Sequence, residues 1–168
     1  MFVLGIDPGL TRCGYGCVEA ARGAERAVAA GVVTTDPAAR LPLRLAELRQ
    51  ELVALVAELR PDAVVVERVL FQTNARTAMA VGQASGLALC TAAEAGVPVA
   101  QYSANEVKLA VAGYGAATKH QVQRMVAELL GLSAPPRPPD TADALALAIC
   151  HVATSRLQAR LAAAGPKR

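Results

Sequence analysis

The chain has 168 residues, 54% of them hydrophobic and only 3% aromatic, with a formal charge of +3. That length predicts one domain over residues 1–162, followed by a short basic tail at 163–168, and a core built from Ala, Val and Leu rather than from rings. No run of about 18 unbroken apolar residues occurs, and MFVLGIDPG lacks a basic stretch ahead of a long apolar one. The expectation is therefore a cytoplasmic protein without a membrane span or secretory leader.

Of the 17 basic residues 14 are Arg, the side chain suited to bidentate contact with phosphate; an anionic partner is permitted, though charge alone does not demonstrate one. Cys13, Cys17, Cys90 and Cys150 contain no C-x-x-C pair, and only His120 and His151 accompany them. A structural zinc site is not expected, and buried, reduced thiols are.

In chain order, MFVLGID reads as a strand ended by the turn DPG, and CGYGCVEA and RAVAAGVVTT read as two more, an antiparallel meander. In LPLRLAELRQELVALVAELRP, Leu41, Leu45, Leu48, Leu52, Leu55, Val56 and Leu59 recur at helical spacing. DAVVVE is a strand of the kind buried on both faces, ending in Glu67. RTAMAVGQASGLALCTAAEAG reads as a helix of small residues and VPVAQY as a fifth strand. SANEVKLAVA is a helix opened by a capping box, Ser103 with Glu106. A glycine loop, GYGAATK, leads into the helix HQVQRMVAELLGL. The connector SAPPRPP precedes a final helix from Asp140, and GPKR ends the chain. The fold class is α/β, with a mixed five-stranded sheet flanked by helices.

Four acids stand out against this apolar background. In open α/β sheets, sites gather at the carboxyl ends of strands; Asp7 ends the first strand and Glu67 the fourth. Asp140 and Asp143, spaced i, i+3, share one face of the last helix. Each has an ordinary explanation: an Asx turn at Asp7, a surface charge at Glu67, an N-cap at Asp140 with a second acid three residues on. Four convergent carboxylates would repel one another unless cations intervene. Oxygen-only donors suit Mg²⁺ or Mn²⁺, and a pair of such ions serves in-line displacement at phosphorus.

GIDPGLTRCGYG, VVVERVLFQTNARTAMAVGQASG, VKLAVAGYGAATKHQVQRMV and PPDTADALALAICH occur in that order over nearly the whole chain. Together they resemble the RuvC family of Holliday junction resolvases. The resemblance implies a ribonuclease-H-like fold, a homodimer, two Mg²⁺ or Mn²⁺ ions per site, and cleavage of four-way DNA junctions in recombination and repair. It implies that Asp7, Glu67, Asp140 and Asp143 are catalytic metal ligands, with Asp7 bridging, and that Lys108 and Lys119 lie near the junction phosphates, Lys119 also at the catalytic centre. Around Asn74 the chain departs from the family. Leu70 stands where the family carries an aromatic, with Phe71 beside it, so either one is the wedge against junction bases. Thr73 replaces a basic residue, and Arg68 or Arg76 either supplies that phosphate contact or is a solvated charge.

The resemblance further implies a preference for a TT step, products with 5′-phosphate and 3′-hydroxyl ends, and the RuvA–RuvB branch-migration complex as partner. Two symmetric cuts call for two sites related by a dyad. Gly82 and Gly86 permit another helix to approach closely, either from a second copy or from within the chain. Lys108, Lys119, His120 and Arg124 form the candidate DNA face. Two rival readings are weaker. A phosphotransferase of the actin and hexokinase type shares GIDPGLT but needs two domains and a second phosphate loop. A binding-only junction module leaves the four acids facing phosphates without a purpose.

Overall fold

A computed structural model describes residues 1–21, 23–68 and 75–165, and the expectations for Leu70, Phe71 and Asn74, with that for the side chain of Arg76, lie outside the described residues. Among the described residues five strands and five helices follow in the order β1 (Phe2–Asp7), β2 (Arg12–Ala21), β3 (Ala24–Thr34), α1 (Leu41–Leu59), β4 (Ala63–Glu67), α2 (Ala75–Glu94), β5 (Val99–Tyr102), α3 (Ala104–Ala112), α4 (Lys119–Leu129) and α5 (Pro139–Ala164).

The strands form one sheet in the order β3-β2-β1-β4-β5. β1, β2 and β3 pair antiparallel, while β4 lies parallel to β1 and β5 parallel to β4. The expected meander is present, and β1 and β4 are neighbours, so their carboxyl ends share one edge. β4 earns its central place by composition: Ala63, Val64, Val65 and Val66 are all buried, whichever face they point to.

Alternation along the strands builds two cores. Leu4, Ile6, Val64 and Val66 pack on one face against Leu48, Leu52 and Val56 of α1 and Ala84, Ala88 and Ala92 of α2. Val3, Val18 and Val65 pack on the other against Val107 and Val111 of α3, Val122 and Val126 of α4, and the stretch Leu145–Cys150 of α5. Gly82 and Gly86 point away from both cores: each is exposed, and a Cβ on either would meet nothing within 4 Å. Packing of these glycines onto the sheet is thereby excluded. The thiol reading fails at one position, since Cys13, Cys17 and Cys150 are buried but Cys90 is exposed on the same outer stripe of α2.

Helix starts follow local chemistry. Ser103 and Glu106 close the expected capping box at α3, and Thr118 with Gln121 closes a second at α4. The capping reading of Asp140 does not hold. α5 opens at Pro139 with Pro138 as N-cap and no side-chain cap, because proline's fixed φ already suits the first helical position. The Asp140 carboxylate is free for other work.

Candidate active site

Parallel register at β1 and β4 brings Asp7 and Glu67 to one sheet edge on one face. Asp7 lies opposite Gly14 in β2, and Glu67 opposite Tyr102 in β5. α5 descends onto this face because β1 and β2 present glycine there. A Cβ on Gly5 would collide with the Ala144 carbonyl, one on Gly14 with the Asp140 backbone, and one on Gly16 with Leu145. This close approach delivers the first turns of α5, with Asp140 and Asp143, to the acids of the sheet.

A cleft of about 390 Å³ results, lined by Asp7, Glu67 and Asp143 together with Lys108 and Lys119. Five of the expected residues therefore meet in one cleft. Burial pushes the Asp7 carboxyl up to about 7, helped by the negative charges of Glu67, Asp143 and Asp140 and opposed by Lys119. Glu67 is raised in the same direction by burial and by Asp143, again opposed by Lys119. Lys119 Nζ lies 2.6 Å from Asp143 Oδ2, and this hydrogen bond raises its own pKa.

Asp140 sits to one side, over β2. Its Oδ2 accepts from Arg12 Nε at 3.0 Å and Nη2 at 2.8 Å. Among the described residues no group of three His, Cys, Asp or Glu is drawn tightly enough to form a ready cage for a metal ion. Lys119 pairs with Asp143 and Arg12 with Asp140, and each offsets the charge of its carboxylate. The donor set still fits a hard divalent cation. It consists of carboxylate oxygens in a half-buried cleft, where burial first and the neighbouring acids second hold Asp7 far above its ordinary 3.8.

Arg12 is the residue that the sequence reading missed. A usable signal was present, since a tight turn after Asp7 returns the chain antiparallel and places a residue five positions on at the same edge. The expected basic face is mixed. Lys108 lines the cleft, but His120 and Arg124 do not, and Arg124 pairs with Glu128 at 3.6 Å. Arg68 donates from Nη2 to the Gln101 carbonyl at 2.9 Å and lies 3.7 Å from Glu106, so its side chain is tied to β5 and α3.

The chain matches the family model "Crossover junction endodeoxyribonuclease RuvC" over residues 3–151. It is 57% identical over 168 residues to the crossover junction endodeoxyribonuclease RuvC of Salinispora arenicola, covering 99% of this chain and 96% of that one. The Thermus thermophilus RuvC structure superposes with a TM-score of 0.86 at 39% identity, covering 94% of this chain and 97% of that one. T. thermophilus RuvC in complex with a Holliday junction substrate gives a TM-score of 0.86 at 37% identity, over 94% and 96% of the two chains. Sheet order, the helix laid over its central strands and this superposition agree on a ribonuclease-H-like fold, and the chain belongs to the RuvC family of crossover junction endodeoxyribonucleases.

Proposed function

We propose that this chain resolves four-way DNA junctions by paired, symmetric phosphodiester hydrolysis, leaving 5′-phosphate and 3′-hydroxyl ends, as part of recombination and repair. The observation that carries this reading is the convergence of Asp7, Glu67, Asp143 and Lys119 in one cleft, with Asp7 raised by burial and by the acids beside it. Asp7, Glu67, Asp140 and Asp143 are the residues that would hold divalent metal, Mg²⁺ or Mn²⁺, two ions per site. Bound there, the metal supplies activation of water and neutralisation of charge at the departing 3′ oxygen.

The chain's own residues do the rest. Asp7, at the end of the central strand, would be the carboxylate shared by the ions that Glu67 and the α5 acids would help to hold. Lys119 holds Asp143 in place and carries positive charge to the point where a scissile phosphate would sit. Lys108, lower in acid contacts, faces the adjoining phosphate from the cleft wall. Beyond Glu67, Leu70 or Phe71 wedges against bases at the junction centre, and Asn74 and Arg76 contact the strand; Arg68, which precedes them, is anchored to Gln101 and Glu106.

The working unit in this reading is a homodimer of the single domain, with the exposed face of α2 at Met79, Gly82 and Gly86 supporting it. It acts in the cytoplasm with RuvA–RuvB. No helix among the described residues is long and apolar enough to cross a membrane. The test is an end-labelled synthetic junction with linear duplex and RNA–DNA hybrid controls, in Mg²⁺, Mn²⁺ and EDTA. Paired, metal-dependent nicks confined to the junction are expected, whereas tight binding without cuts in either metal would sink the reading. Sedimentation equilibrium at micromolar concentration is expected to give a dimer.

A further inference from the structure

The proposed DNA face accounts for cations on the α3 and α4 side of the acids and gives those on the β2 and α1 side, Arg12 paired with Asp140 and Arg44, no contact with DNA. Register places Arg12 opposite Thr34, at the sheet edge that carries Asp7. Next to it Arg44, on the first turn of α1, donates from Nε to Thr35 Oγ1 at 3.0 Å and from Nη2 to Thr11 Oγ1 at 2.7 Å. Thr35 in turn donates to the Leu10 carbonyl at 2.6 Å. The guanidinium is thus held by neutral hydroxyls at the turn that follows Asp7. Among the described residues no carboxylate lies within ion-pair distance of Arg44 or of exposed Arg40.

We propose that Arg44, with Arg12 beside it, forms a second phosphate-binding rim that grips the DNA backbone on the flank of the acidic cleft opposite Lys108 and Lys119. This rests on the junction-cleaving reading and extends it. A strand laid over Asp7 and Glu67 carries phosphates to both sides of the scissile one, and cations on a single flank would leave it free to pivot. Acids facing DNA also repel the flanking phosphates, so charge is needed on both sides of them. Arg44 meets that need with little ordering cost, because Thr11 and Thr35 already fix its fork and leave Nη1 without a described protein acceptor. A purely structural tie between the turn and α1 requires no charge. Neutral donors would serve it as well.

The experiment is junction binding by fluorescence anisotropy in EDTA across a series of KCl concentrations, for the full chain and for Arg44→Gln, Arg44→Lys and Thr11→Val. Arg44→Gln is expected to bind about 3–10-fold more weakly at low salt, with the slope of log K against log salt reduced by about 1. Arg44→Lys is expected to keep the slope, and Thr11→Val to weaken binding with the slope intact. An unchanged slope in Arg44→Gln, whether affinity holds or falls along with the melting temperature, overturns the rim. If the unaltered chain neither binds nor cuts junctions, the junction-cleaving reading falls instead and takes the rim with it.

Discussion

The two faces of β1 are built from opposite materials. Towards α1 and α2 it presents Leu4 and Ile6, and the helices stand off at the distance large side chains impose. Towards α5 it presents Val3, Gly5 and Asp7, and with Gly14 and Gly16 of β2 it lets a helix backbone settle on the sheet. One face maximises apolar burial, while the other gives up side-chain volume so that carboxylates from a strand and a helix can meet. Both faces bury an apolar core, and only the α5 face also carries the acids. The two faces are separated by a single residue's alternation.

The sharpest way to break the functional face is Asp7→Asn, which keeps shape and removes charge. Cleavage should fall by at least ~10³-fold, beyond the ~10–100-fold typical of losing a metal ligand's outer partner, while junction binding in EDTA persists. Equal cutting by the variant would remove Asp7 from the metal site. On the opposite face Leu48→Ala empties a fully buried position and should cost about 2–5 kcal/mol in denaturant unfolding. Its cleavage rate per folded molecule should be unchanged, and a matching loss of rate would show that the faces are coupled.

Gly14→Ala tests the join between the two. The added Cβ would overlap the Asp140 backbone, which cannot swing aside as a flexible side chain can, so about 1–3 kcal/mol of stability should be lost. Cleavage should fall further than that loss explains, because Asp140 is displaced from Arg12 and from the acids. A variant that is destabilised but fully active per folded molecule would refute the idea that glycine is there to position the acid.

Much of this was legible beforehand. Alternation and helical spacing gave the element order, and the strand-end rule paired Asp7 with Glu67 before their neighbourhood was known. At Asp140 the sequence context, a proline pair and an acid three residues on, is the same for a cap and for a ligand, so both readings stood. The start of α5, with Pro138 as N-cap and no side-chain cap bond, separates them. Arg44 was passed over for a related reason: its meaning depends on the β1–β2 turn and the start of α1 meeting at one edge, a contact no local pattern encodes. Cys90 escaped because a helix of small residues shows little contrast between its buried and exposed faces.

The effect that leaves cleavage aside concerns pH and the cost of the acidic face. The Asp7 carboxyl, at about 7 in the folded metal-free protein against 3.8 ordinarily, is protonated in the fold and ionised in the unfolded chain across the interval between. The folded state therefore binds more protons there, and stability falls as pH rises from about 4 towards 7, then levels off. Glu67, shifted in the same direction, adds to the slope. Thermal melts in EDTA between pH 5 and 8 should show the unaltered chain losing stability relative to Asp7→Asn as pH rises, at about 2–4 °C per kcal/mol for a chain of this size. Mn²⁺ should shrink the gap at pH 8, since the cation offsets the repulsion that burial alone leaves uncompensated. Parallel melting curves for the two proteins would mean that Asp7 is ionised at little cost in the fold, and that the glycine face carries no stability penalty for its chemistry.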